Sequence, residues 1–113
     1  MRIIGRSKLL KLKKKNMGND KLIHEINLLL HTLELFNPQL ERISDVRKDA
    51  DCVHSDGFYF FNIQMHRTMI LMELDEEGEA TIVWAGKHQE YETTFKNNKK
   101  TIEKWLRKNG YIY

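Results

Sequence analysis

The chain has 113 residues, 41% of them hydrophobic and 31% charged, with a formal net charge of +3. That length suits one domain over residues 1–113, and the composition is that of a globular protein, which excludes a disordered chain. No apolar run approaches the roughly 20 residues a membrane helix needs, no signal-peptide pattern opens the chain, and Cys52 has no second cysteine to pair with; a cytoplasmic protein with no membrane partner and a buried or idle thiol is the expectation.

In chain order, Arg2–Ile4 is an apolar run fit only for an edge strand or a lead-in. Ser7 can cap a short basic helix over residues 8–15 with Leu9, Leu10 and Leu12 inward. The stretch "NMGND" breaks it, and Asp20 opens a longer helix whose Leu22, Ile23, Ile26, Leu29, Leu30 and Leu33 fall at helical spacing, ended by Pro38. Residues 37–57 read as a turn of helix and a loop. Asp56–Gly57 then announces "FYFFNIQ", a β-forming run. A turn is expected at residues 65–67, followed by the strand "TMILMEL", a reversal at "DEEGEA" and the strand "TIVWA". A last helix over residues 97–108 shows an apolar face of Ile102, Trp105 and Leu106 and stops at Gly110. Helices, then a three-stranded antiparallel meander, then a helix describe an α+β domain with the helices on one face of a twisted sheet. The other face is left for function.

Charge is distributed unevenly. Arg2, Arg6, Lys8, Lys11, Lys13, Lys14, Lys15 and Lys21 crowd the start, and Asp75, Glu76, Glu77 and Glu79 the middle. Lys96, Lys99, Lys100, Lys104, Arg107 and Lys108 follow towards the end. Two basic blocks around an acidic centre can grip a polyanion; the same lysines serve equally as solvated helix faces.

No phosphate-cradling glycine motif, serine nucleophile motif or metal-ligand spacing is present, so no cofactor and no metal are expected. What remains is general acid–base chemistry on a phosphodiester. It needs a base for the 2′-hydroxyl, cations for the charged phosphorane and an acid for the leaving 5′-oxygen. "AGKHQEYETTF" supplies candidates: His88, because histidine as a residue type suits either proton-transfer role, and Tyr91, one helical turn away. Arg67 is placed to reach the same sheet end and hold a phosphate. Each has a plain alternative: His88 as a surface turn residue, Tyr91 as a packed ring, Arg67 as a solvated charge. His66 is a weak candidate beside Arg67, better suited to turn chemistry than to catalysis; Glu90 can orient His88 or serve solubility, and Trp84, alternating with Val83, fits the core better than a base-stacking platform.

Three stretches in register, "MRIIGRSKLLKL", "DADCVHSDGFYFFNI" and "AGKHQEY", resemble HigB-type toxins of the RelE superfamily across residues 1–92. The helix over residues 97–108 is a basic extension beyond the shorter members. The resemblance implies a small RelE-like fold, with N-terminal helices packed on a twisted antiparallel sheet. It implies a type II toxin that cuts mRNA without a metal, typically on the translating ribosome, and a HigA-like helix-turn-helix antitoxin that neutralises it. By position it makes His88, Tyr91 and Arg67 catalytic; the charge distribution adds Lys8, Lys11, Lys87, Lys96, Lys99 and Lys100 as candidate RNA-binding cations. One position departs: Met69 stands where the family carries an arginine expected to contact phosphate, leaving Arg67 or Lys87 to replace it. A non-catalytic RNA- or ribosome-binding module and a ParE-like gyrase-targeting toxin are the rival readings.

Overall fold

The computed structural model describes all residues, Met1–Tyr113. Strand β1 (Arg2–Ile4) leads into helix α1 (Ser7–Lys15) and helix α2 (Asp20–Leu35). A single turn of helix, α3 (Ile43–Val46), precedes strands β2 (Asp51–His54), β3 (Phe58–Ile63), β4 (His66–Glu73) and β5 (Glu79–Lys87). Helices α4 (His88–Phe95) and α5 (Lys99–Lys108) close the chain. No helix is long and apolar enough to cross a membrane.

The chain is α+β, but its sheet is larger than the meander expected. Five strands run in the order β1-β5-β4-β3-β2. The β3–β4–β5 meander is antiparallel, β2 adds antiparallel to β3, and β1 adds parallel to β5, Arg2 facing Glu79 and Ile4 facing Thr81. The parallel pairing brings the N-terminus beside the last strand. Gly5 makes the turn out of it with φ +80, where a Cβ would stand 2.9 Å from the Ile82 carbonyl oxygen, so only glycine fits without strain. Helix α2 starts at Asp20 as expected, and Asn19 caps it: its Oδ1 accepts from the Leu22 amide at 3.2 Å.

Both faces of the sheet are covered. On one, Leu9, Leu12, Leu22, Ile26, Leu29 and Leu33 of α1 and α2 pack on Phe61, Ile63, Ile70 and Ile82. On the other, Tyr91 and Phe95 of α4 and Ile102 and Leu106 of α5 pack on Phe58, Phe60, Met69 and Val83. The face expected to be free is therefore occupied by the C-terminal helices. The reason is visible in the residues: β3 alternates large apolar side chains to both sides, and the second set needs its own cover.

A β-bulge sets which residues reach which face. Met69 pairs with Trp84 but the adjacent Ile70 pairs with Ile82, so Val83 is an extra residue in β5. Val83 and Trp84 consequently share the C-terminal-helix face instead of alternating. Beyond the bulge Gly86 lies opposite Arg67 and Lys87 opposite His66.

Candidate functional site

The β3–β4 reversal is tighter than expected. Gln64 and Met65 alone form the turn, Gln64 with φ 60, and Ile63 pairs with His66. His66 and Arg67 are therefore strand residues on opposite faces of the sheet.

Arg67 lies on the C-terminal-helix face, and its side chain is only 13% exposed. Its guanidinium carbon stands 4.4 Å from the Tyr91 ring centre and 5.0 Å from that of Phe60. Its Nε donates to Asn62 Oδ1 at 3.1 Å, and Asp51 lies 3.8 Å from Nη2. The cation is held by two aromatic faces and two polar neighbours, which fixes its direction. Met69, two residues on, is fully buried in the same core, between its cross-strand partners Phe60 and Trp84. With α4 and α5 over it, that position reaches no phosphate; an apolar side chain there matches its cover.

β5 passes directly into α4 without a loop. Glu90 Oε1 accepts from the Lys87 amide at 3.0 Å, and the His88 amide donates to the Met65 carbonyl at 3.1 Å. The first bond caps the helix, and the second ties its start to the β3–β4 turn. Gly86 permits the junction, because a Cβ there would lie 2.8 Å from the Trp84 ring.

His88, the first residue of α4, has a side chain 56% exposed and a ring stacked on that of Tyr91 at 5.6 Å. Its Nε2 lies 3.2 Å from Glu92 Oε1, one turn along the helix. An accessible imidazole is thus held on a packed ring and paired with a carboxylate. Glu92, not Glu90, is the acid that orients it. Tyr91 itself is 2% exposed, and its hydroxyl donates to Asn97 Oδ1 at 2.9 Å. Through the Tyr91 ring, His88 and Arg67 belong to one assembly.

No protein family, curated protein or solved structure matches the chain.

The lysines fall into three places. Lys8 and Lys11, joined by Lys15, line a groove of about 360 Å³ with Trp84, Trp105 and Tyr111, the last two rings stacked at 6.0 Å. Cations beside half-buried aromatic rings suit a single-stranded nucleic acid. Lys96, Lys99 and Lys100 are exposed around the α4–α5 junction. Lys87 stands apart from both groups, beside His88, in a groove of about 660 Å³ on the far side of the β4–β5 pair from Arg67.

His66, only a weak candidate on the sequence, lines that same groove. It is 5% exposed, and neither ring nitrogen has a hydrogen-bond partner within the chain. Burial, reinforced by the Lys87 charge and opposed by Glu90, holds its pKa below the usual histidine value, so the ring is neutral. Only the register that follows from the two-residue turn reveals it. Cys52, by contrast, is exposed on β2 rather than buried.

Across β3, Arg47 forks onto Asp49 at 2.8 and 2.7 Å, and Asp49 Oδ2 accepts from the Asn62 amide at 2.7 Å. Burial pushes the Asp49 carboxyl up, but the Arg47 fork and the Asn62 amide outweigh it and hold the pKa below the usual value. This network braces Asn62, which in turn receives Arg67.

Proposed function

We propose that the protein is a toxin of a type II toxin–antitoxin pair, a RelE-like endoribonuclease that cuts mRNA without a metal cofactor. The observation that carries this reading is the accessible His88 imidazole at the first position of α4, stacked on Tyr91 and paired with Glu92. The resemblance of residues 1–92 to HigB-type toxins adds the family's activity, its ribosomal setting and its helix-turn-helix antitoxin.

In the proposed reaction a base removes the 2′-hydroxyl proton, the 2′-oxygen attacks phosphorus, and the bond to the 5′-oxygen breaks as that oxygen takes a proton. The products are a 2′,3′-cyclic phosphate and a 5′-hydroxyl end. His88 is the accessible imidazole at this site and transfers one of these protons. Arg67 and Lys87 supply positive charge from the two sides of the sheet end. Tyr91, with its hydroxyl bound to Asn97, acts as the ring that positions His88 and Arg67. Lys8, Lys11 and the lysines at the α4–α5 junction draw in the RNA strand.

The locked Arg67 and the buried Met69 favour one second reading, a module of this fold that binds RNA or the ribosome without cutting. Expression of the chain alone separates the two outcomes in a cell. The toxin reading expects growth arrest, relieved when the product of an adjacent helix-turn-helix reading frame is co-expressed, with the two proteins co-purifying. Normal growth at high expression would contradict it.

A further inference from the structure

The groove beside His88 has the chemistry of a nucleobase pocket. Its volume, about 660 Å³, falls in the range of small-ligand sites. Met65 gives an apolar wall, Asn16 and Asn19 stand on the α1–α2 side, and Lys87 and His88 close the side formed by α4. His66 lines it, more than nine-tenths buried, with both imidazole nitrogens unpartnered. A buried ring nitrogen without a partner is a costly feature of a fold, and a ligand in the groove that offers one complementary donor or acceptor satisfies it. The edge of a base presents such a group.

We infer that this groove holds the base of a nucleotide flanking the cleaved bond, that His66 reads its edge by hydrogen bonds, and that Lys87 meets its phosphate. The inference rests on the RNA-cleaving reading, because it makes the nucleotide part of an RNA strand. It also explains the bulge at Val83, which puts Lys87 rather than Gly86 on the His66 side of β5. Arg67 and Lys87 then lie on opposite sides of the sheet end, as a strand passing over that end requires. Glu92 also lines the groove, but its carboxylate is engaged by His88.

The test follows the His66 imidazole by NMR while the wild-type protein is titrated with each of the four nucleoside 3′-monophosphates, then with 2′-O-methyl hexanucleotides that resist cleavage. The expected result is a saturable shift of the His66 ring signals and a preference of roughly tenfold or more for one base, with still tighter binding of hexamers containing it. His66→Phe, and His66→Asn as a polar variant of smaller volume, should each level that preference while the protein still binds hexamers through its lysines. An unmoved His66 ring, equal affinity for all four bases in the wild type, or hexamers no tighter than monophosphates would each overturn the inference. Failure of the cleavage reading gives a different pattern: base-selective binding that depends on His66, with no RNA cut by the wild type.

Discussion

His88→Gln is expected to abolish growth inhibition and to slow RNA cleavage by about 10²- to 10⁴-fold, the usual loss when a proton-transferring side chain is removed. Stability should move by less than about 1 kcal/mol. The side chain is 56% exposed, and exposed ion pairs such as His88–Glu92 contribute little to folding. Glutamine keeps polarity and approximate size at the first position of α4 but cannot exchange a proton near neutral pH. Circular dichroism and a urea melt check the fold, growth after induction checks the activity, and co-purification with the antitoxin checks the remaining surface. Undiminished toxicity of this variant would remove His88 from the chemistry.

Phe60→Ala carries the largest expected cost in stability. Phe60 is fully buried at the centre of the second core, its ring 4.9 Å from Tyr91, 5.4 Å from Phe95 and 6.3 Å from Trp84. Truncating such a ring costs about 3–5 kcal/mol. Domains of this size have about 5–15 kcal/mol in total, so the melting temperature should fall by roughly 15 °C or the chain should fail to fold. Phe61→Ala, equally buried but in the core under α1 and α2, should cost a similar amount. The pair differs in function. Below both melting points Phe60→Ala loosens the ring assembly that carries Arg67, Tyr91 and His88 and should lose activity per folded molecule, whereas Phe61→Ala should keep it. Equal specific activities would mean that the aromatic assembly does not position the site.

Parts of this architecture were readable from residue patterns alone. The three meander strands and helices α1, α2 and α5 lie where alternation, helical spacing and stop signals indicated, α5 starting at Lys99 rather than at residue 97. Parallel pairing of β1 with β5 was not readable, since three residues carry too little pattern to choose a partner so distant in sequence. Helix α4 was hidden because its first residue directly follows the last residue of β5 with no loop between, and its two threonines carry weak helix propensity. That hidden helix is what changed the account of the site. It turns Tyr91 inward, gives His88 its carboxylate neighbour Glu92, and covers the sheet face that seemed free. The bulge at Val83 leaves no mark in "TIVWA", yet it decides that Lys87 joins His66 and not Arg67. Positions of this kind are set by tertiary register, which single-residue preferences do not encode.

Under the proposed function the molecule cuts RNA and His88 performs a step of the cut. Mapping the 5′ ends of cellular transcripts after brief induction measures this most directly. The wild type is predicted to create new internal ends bearing 5′-hydroxyl groups within coding regions, and His88→Gln none above background. Growth arrest without new RNA ends, or the same ends in the His88→Gln strain, would contradict it.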